Sequence, residues 1–195
     1  MYRLTIILVV LSLNQLWAQD GGSFLETISV SAKAGFNINT HSGDVGENVS
    51  PKFDFHVGGF AQSQISEQWG VTGELLYSRE GYRVPDDDFV ISLGFLNVSA
   101  LANYSINEDL TLDFGALLAV KLNESTKLED NKRNTNRYKP LRPGILAGSS
   151  YNINEKFTAQ GRLIFKPTDL IRDDAGDNEG TTSWLLQFSV AYTIF

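Results

Sequence analysis

The sequence predicts an all-β fold, an eight-stranded antiparallel up-and-down transmembrane β-barrel. Three observations predict it: apolar and polar side chains alternate over long segments, the connections between these segments alternate in length, and aromatic residues lie near the ends of the apolar faces. A barrel that spans a membrane combines all three features. Its outer face contacts lipid, its connections are short at one end, and its aromatic residues form girdles at both interfaces.

The first 18 residues are typical of a secretory signal peptide. Arg3 supplies a positive start, residues 4–13 are almost wholly apolar, and Ala18 is a small residue at which a signal peptidase could cut. The apolar run is shorter than the roughly 20 residues that span a bilayer as a helix. We therefore expect a signal peptide at 1–18 and an outer-membrane barrel domain at 19–195.

Period-two alternation, which places alternate side chains on opposite faces of a strand, continues to the end of the chain. From Trp184 to Ile194 every even-numbered residue is large and apolar, and residues 110–122 alternate without a slip. Each such segment is long enough to cross a membrane as a tilted strand. The pattern predicts eight strands, near 28–38, 53–65, 69–82, 89–104, 110–122, 144–153, 157–166 and 183–195.

The connections between these strands are sorted by length. Tight polar turns at 66–68, 107–109 and 154–156 follow the second, fourth and sixth predicted strands. The connections after the odd-numbered strands are longer, and three of them, at 39–52, 123–143 and 167–182, are rich in Asn, Asp, Gly or charge. Outer-membrane barrels have this arrangement, with turns in the periplasm and longer loops outside.

The direction of the apolar face separates two kinds of barrel. In a secreted soluble barrel that binds an apolar ligand, the apolar side chains point inward, whereas in an outer-membrane barrel they point outward. We expect the second arrangement, because the apolar face carries aromatic residues near the strand ends. These are Trp69, Tyr77, Tyr104, Tyr151, Phe157, Trp184 and Tyr192. The opposite face carries charged or polar side chains, namely Lys33, Asp54, His56, Glu74, Asp113, Lys121, Arg162 and Lys166.

Three segments resemble the PorT-like outer-membrane β-barrel family, small Gram-negative barrels of the porin family that share the architecture of the OmpA transmembrane domain. They are Val30–Asn37, Phe95–Leu101 and Lys166–Leu170, and the resemblance covers nearly the whole chain after the leader. The resemblance implies an outer-membrane location and suggests a role beside a secretion or assembly machine. One departure lies at the C-terminus, where Phe195 shares parity with Thr193 rather than with Tyr192 unless a bulge restores the register.

Four charged residues are predicted to meet inside the barrel. Lys33, Glu74, Asp113 and Arg162 each lie a few residues from the turn end of an odd-numbered strand. An eight-stranded barrel is only wide enough for its interior to be filled by side chains, and charges in such an interior need partners. We expect one layer of two bases and two acids that blocks solute flow and fixes the register. The alternative is that each residue contacts trapped water independently.

Composition and motifs exclude several kinds of function. The chain has no cysteine, which excludes disulfides, thiolate metal sites and a cysteine nucleophile. Its net charge of −7 is opposite to that of a nucleic-acid binder, and it has no nucleotide-binding glycine motif. We expect no cofactor, metal or catalytic residue. His41 with Ser42 and Asp44 is the one sequence-local Ser-His-acid combination, and we expect His56 to be a hydrogen-bonded lumen residue.

Two kinds of charged connection remain as candidate binding sites. A divalent cation could bind Glu80 with the acids at 86–88, or the four acids within 173–179. We expect instead that both are solvated, charged loops. A basic surface loop could hold lipopolysaccharide phosphates or another surface polymer. Its members are Lys127, Lys132, Arg133, Arg137, Lys139 and Arg142.

The sequence thus predicts a non-enzymatic integral outer-membrane protein with a filled lumen and a structural or surface-interaction role. The alternatives are a narrow passive channel and an accessory of a secretion or assembly machine. The expected partners are outer-membrane lipids, including lipopolysaccharide, and an extracellular or secretion-machinery protein whose identity the sequence does not give.

Overall fold

The computed structural model describes residues 28–42, 50–84, 89–128, 131–133, 138–167 and 182–195, and these form nine strands. The predicted signal peptide lies outside the described residues. Within these ranges no helix has the length and apolar character needed to cross a membrane. The strands are β1 (Ile28–Ser42), β2 (Lys52–Gln64), β3 (Trp69–Val84), β4 (Phe89–Ser105), β5 (Leu110–Leu128), β6 (Asn131–Arg133), β7 (Leu141–Asn152), β8 (Phe157–Lys166) and β9 (Thr182–Thr193).

Eight of these strands close into an antiparallel barrel. β1 pairs with both β2 and β9, and β4 pairs with β5, so the barrel wall is continuous and leaves no open edge. The short β6 pairs only with the far end of β5 and extends the wall there. The predicted fold class, an eight-stranded up-and-down barrel, is confirmed.

The register shows how steeply the strands are inclined. Following paired residues once around the barrel from Ile28 leads back to β1 at Ile38, ten residues further on. For eight strands this stagger corresponds to a tilt of about 40°. Residues at one height on opposite walls therefore come from different positions along their strands.

The apolar face points outward. Leu75, Ile145 and Val190 are each about half exposed or more, and the aromatic residues near the strand ends lie on the same outer face. The alternate side chains point into the lumen and are buried, including Lys33, which is 2% exposed. Hydrophobic side chains on the outside of a closed barrel are those of a barrel embedded in lipid rather than of a soluble one.

The strand bounds match the predictions closely, with differences at the loop end. β5 continues to Leu128, six residues beyond its predicted end. Gly94 pairs with Asn123 and Phe95 with Lys121, so a bulge skips Leu122 and the apolar alternation of β5 does not continue past it. β7 begins at Leu141 rather than 144, and Pro143, which has no N–H for the ladder, lies within it opposite Leu118 of β5.

Side chains of the tight turns explain their sequences. Asn107 Oδ1 accepts from the backbone N–H groups of Asp109 and Leu110, and Asn154 Oδ1 does the same for Lys156 and Phe157. Such Asx turns close a short connection without a longer loop. We call this end of the barrel the turn end and the opposite end the loop end.

The C-terminus ends in an irregular pairing. The carbonyl of Val30 accepts from Ile194 N, whereas the N–H of Val30 donates to the carbonyl of Phe195. Two consecutive residues thus face Val30, and both are exposed. This bulge-like arrangement places Phe195 on the outside although its parity is that of Thr193.

Candidate functional site: the filled lumen

The four charged residues predicted to meet in the lumen are brought together. Lys33, Glu74, Asp113 and Arg162 lie on β1, β3, β5 and β8, and each is at most 4% exposed. Lys33 Nζ lies 2.8 Å and Arg162 Nη1 lies 2.7 Å from Glu74 Oε2, and Arg162 Nη2 lies 3.3 Å from Asp113 Oδ2. We call these four residues the lower charged layer.

Neutral side chains donate further hydrogen bonds to Asp113 in this layer. Asn103 Nδ2 donates to Asp113 Oδ1 at 2.8 Å, and the Ser150 hydroxyl donates to Asp113 Oδ2 at 2.6 Å. Thr72 donates in turn to Asn103, and Gln160 donates to Ser150. The layer carries two positive and two negative side chains, so its formal charge is zero.

An apolar layer lies next to the lower charged layer on the loop-end side, which the sequence analysis did not predict. Along β8 the inward residues are Arg162, Ile164 and Lys166 in order, so an apolar side chain separates two charged ones. Apolar residues of six strands, together with Tyr138, form one buried cluster. Its members at this level are Phe95, Leu117, Leu146, Ile164 and Leu185.

A second charged layer lies on the loop-end side of the apolar layer. Lys166 Nζ lies 2.6 and 2.8 Å from the two carboxylate oxygens of Glu80 and 5.0 Å from the centre of the Phe95 ring. Arg142 Nη2 donates to the Ser183 hydroxyl at 3.0 Å. Lys166 and Arg142 are each 1% exposed. We call Glu80, Arg142 and Lys166 the upper charged layer.

Two predicted placements are corrected by this layer. Arg142, predicted to belong to the basic surface loop, is buried in the lumen because β7 begins before it and it shares a face with Gly144 and Leu146. Glu80, predicted to join a surface acid cluster, points inward and forms an ion pair with Lys166. Both residues follow the alternation of their strands; Glu80 lies within its predicted strand, whereas Arg142 lies two residues before the predicted start of its strand.

His56 lies in a hydrogen-bonded cluster on the part of the lumen wall that β1, β2 and β9 form. Its Nδ1 lies 2.8 Å from Asn37 Oδ1, and its Nε2 lies 2.7 Å from Ser189 Oγ. Asn37 Nδ2 donates to the carbonyls of Phe55 and Arg79, which fixes Oδ1 as the acceptor for His56. His56 therefore carries its proton on Nδ1, and its Nε2 accepts from the Ser189 hydroxyl.

The other predicted surface sites are only partly described. Backbone pairing joins Lys127 to Lys132 and Thr126 to Arg133 across the β5–β6 hairpin, and Lys139 is part-buried. Arg137, Asp44, the acids at 86–88 and those at 173–179 lie outside the described residues. In the part of the chain that the structure describes, no three His, Asp or Glu side chains gather as they would around a metal ion.

The lower charged layer, the apolar layer with the His56 cluster beside it, and the upper charged layer occupy the lumen in succession. Polar side chains also surround a cavity of about 640 Å³ between the lower charged layer and the turns. Among the described residues, side chains therefore fill the lumen between the two charged layers, and the cavity opens at the turn end.

Comparison with solved structures shows the same fold in small surface barrels. Neisserial surface protein A superposes with a TM-score of 0.60 at 15% identity, over 85% of this chain and 97% of that one. The attachment invasion locus protein Ail of Yersinia pestis superposes with a TM-score of 0.52 at 13% identity, over 85% and 98%. Ail in complex with the heparin analogue sucrose octasulfate gives 0.51 at 15%, over 85% and 99%. At these identities the likeness concerns the fold.

No curated protein matches the sequence significantly. A family model described as an outer membrane protein beta-barrel domain matches residues 17–171, which is most of the chain. This match agrees with the outward apolar face and the closed eight-stranded wall. The chain belongs to the outer membrane protein beta-barrel domain family, and its location is the outer membrane.

Proposed function

We propose that this outer-membrane barrel is non-enzymatic and non-conducting, and that it acts as a structural or surface-interaction protein through its loop end. One observation carries the proposal: two charged layers and an apolar layer fill the lumen, and the ion pair of Arg162 on β8 with Glu74 on β3 joins opposite walls at 2.7 Å. A filled barrel offers its exposed ends, not its interior, to partners. Long loops of such barrels face outside the cell.

Conductance across a planar lipid bilayer tests this proposal. The purified full-length chain, after removal of any leader by the cell, is expected to give no steady current under conditions in which a general porin conducts. The porin in the same bilayer controls for membrane quality and insertion. A steady, ion-selective current from this barrel would instead support the narrow passive channel.

The non-enzymatic part of the proposal concerns Ser189, His56 and Asn37. Their order and hydrogen bonds are those of a Ser–His–Asn hydrolase triad. However, Ser189 is 7% exposed, and His56 and Asn37 are at most 1% exposed, so a substrate has no approach to the hydroxyl. We attribute the cluster to structure: it connects β1, β2 and β9 where the barrel closes.

A fluorophosphonate probe, which labels activated serines, distinguishes the two roles. We expect no labelling of the folded protein, and the same result for Ser189→Ala. Labelling that disappears in Ser189→Ala would show that the hydroxyl is reactive and would overturn the non-enzymatic assignment.

The basic segment at the loop end supports a polyanion as partner. Backbone pairing places Lys127 opposite Lys132 and Thr126 opposite Arg133 in the β5–β6 hairpin, so basic residues are concentrated at this part of the loop end. Ail, which shares this fold, has been crystallised with a heparin analogue. We propose that Lys127, Lys132, Arg133, Arg137 and Lys139 hold phosphate groups of lipopolysaccharide at the outer leaflet.

Binding of purified lipopolysaccharide to the detergent-folded barrel tests this site. The double variant Lys127→Gln/Lys132→Gln is expected to bind about tenfold more weakly, and the native chain is expected to lose affinity with added salt. Lys156→Gln, on an exposed turn at the other end, is the matched control. Equal binding by all three proteins would contradict the site.

Two narrower proposals rest on the sequence. The segments Val30–Asn37 and Phe95–Leu101, which lie on β1 and β4, support a place among PorT-like barrels and an accessory role in secretion. Loss of secreted proteins from a deletion strain would support that role, and an unchanged set would contradict it. We also propose cleavage after Ala18, for which the intact mass of the membrane-extracted protein must equal that of residues 19–195.

A further inference from the structure

The turn-end cavity has the size and position of a ligand site. Its volume is about 640 Å³, within the range of small-molecule pockets. Turn residues form its mouth, and Asp113 and Arg162 of the lower charged layer form its inner end. Because the turns of an outer-membrane barrel face the periplasm, a ligand would enter from that side.

Between the charged residues of its mouth and its inner end, the cavity wall is made mostly of uncharged hydroxyl and amide groups. Ser31, Gln62, Thr72 and Asn152 are among them, and Phe60 is the aromatic residue that lines the cavity. Hydroxyls and amides offer donors and acceptors in equal measure. An aromatic surface beside such groups suits a sugar ring, which has apolar C–H faces and a polar edge.

Two polar atoms at the inner end have no hydrogen-bond partner. They are Gln160 Oε1, an acceptor, and Arg162 Nε, a donor, and their residues are 7% and 3% exposed. Both residues line the cavity. Buried polar atoms are normally hydrogen-bonded, and a group that both donates and accepts could pair with both atoms. A hydroxyl group does both.

Charge at the mouth selects against anions. Glu108, Asp109 and Glu155 line the cavity where it opens, and all three are exposed. Their carboxylates repel an acidic ligand as it approaches. A neutral ligand meets no such barrier. Because the formal charge of the lower charged layer is zero, the inner end of the cavity favours neither a cationic nor an anionic ligand.

From these observations we propose that the turn-end cavity binds a neutral saccharide from the periplasm, with Gln160 and Arg162 bonding its hydroxyls and Phe60 against its ring. The same chemistry is offered by a free sugar and by the end of a glycan chain. This site lies at the opposite end of the barrel from the surface-interaction site proposed above.

Binding of diacetylchitobiose to the full barrel in phospholipid nanodiscs tests the proposal, measured by ligand-observed NMR and calorimetry. We expect saturable binding that weakens about tenfold in Gln160→Leu, which removes the acceptor. Asn39→Leu is the matched control: it removes another buried lumen amide, located at the loop end and outside the cavity. A fully oxidised, anionic analogue of the disaccharide is expected to bind more weakly than the neutral sugar.

Absence of saturable binding would overturn the proposal, as would equal binding by Gln160→Leu and the native chain. Each variant is first checked for folding by its migration on an unboiled gel. Retention of the barrel by insoluble chitin, in addition to binding of the disaccharide, would identify a glycan end as the ligand source. Binding of the disaccharide alone would identify a free sugar.

Discussion

Glu74 is the residue on which the lower charged layer depends. One of its oxygens, Oε2, accepts from both Lys33 and Arg162, at 2.8 and 2.7 Å. Without this carboxylate, two buried cations would share the single remaining acid, Asp113. Removing one partner of a buried ion pair is far more costly than removing the whole pair, because the remaining charge is left without compensation.

We predict that Glu74→Gln lowers the free energy of unfolding by about 3–5 kcal/mol. The double variant Lys33→Met/Glu74→Gln removes one charge of each sign and is expected to regain part of this loss. Urea unfolding in lipid vesicles, followed by tryptophan fluorescence, measures both effects. Glu108→Gln, on an exposed turn, is the control, and an unchanged midpoint for Glu74→Gln would contradict the paired layer.

Parity explains how much of this layer the sequence could predict. Counting alternate residues from the turns places Lys33, Glu74, Asp113 and Arg162 inside and near one height. It does not show that Glu74 takes both cations, because that depends on the ten-residue stagger of the whole barrel. Arg142 was misplaced because its predicted strand began at 144, whereas β7 begins at Leu141 and turns the Arg142 side chain inward.

Gly35 lies where β1 pairs with β9, the two strands that close the barrel. A Cβ atom built there would lie 2.0 Å from the carbonyl oxygen of Phe188 on β9 and 2.8 Å from the ring of His56 on β2. Only a residue without a side chain leaves room for β9 to pair with β1 at this point. The curvature of the closing seam therefore depends on glycine at this position.

Gly35→Ala is accordingly expected to destabilise the barrel by about 1–3 kcal/mol, the usual cost of overpacking, because a backbone carbonyl must move. Gly73→Ala is the matched control: this glycine also lies within a strand, but a Cβ there meets nothing within 4 Å. The folded fraction on unboiled gels and the urea midpoint measure the difference. Equal stability of the two variants would show that the seam tolerates a side chain.

At the level of strands, alternation predicted the eight barrel strands. It failed where the strands leave the lipid, because alternation arises from lipid contact on one face. Beyond the lipid, β5 continues to Leu128 and pairs with β6, but neither face of that extension needs to be apolar. The apolar layer was missed for the converse reason. Leu117 and Leu185 point inward, where a membrane barrel was expected to be polar, and they interrupt the pattern without breaking the strand.

The whole molecule has two unlike ends. At the turn end, connections of a few residues are closed by Asn107 and Asn154, and a polar cavity opens between them. At the loop end, β3, β4 and β5 are the longest strands and rise above their neighbours as a wall extended by β6. The loop-length pattern in the sequence predicts which end faces the cell exterior, and it is independent of every side-chain contact.

The absence of cysteine from the chain makes this orientation directly measurable. In intact cells, a maleimide attached to a polymer too large for porins is expected to label Asp44→Cys, in a long connection, but not Glu108→Cys, in a short turn. Permeabilising the outer membrane should make both sites reactive, which controls for the folding and reactivity of Glu108→Cys. The native chain, with no thiol, controls for background.

Labelling of Glu108→Cys but not Asp44→Cys in intact cells would show that the barrel has the opposite orientation. The saccharide cavity would then lie at the cell surface and the basic segment in the periplasm. Because lipopolysaccharide lies in the outer leaflet, the polyanion site and the periplasmic saccharide site would then both be contradicted by this one measurement.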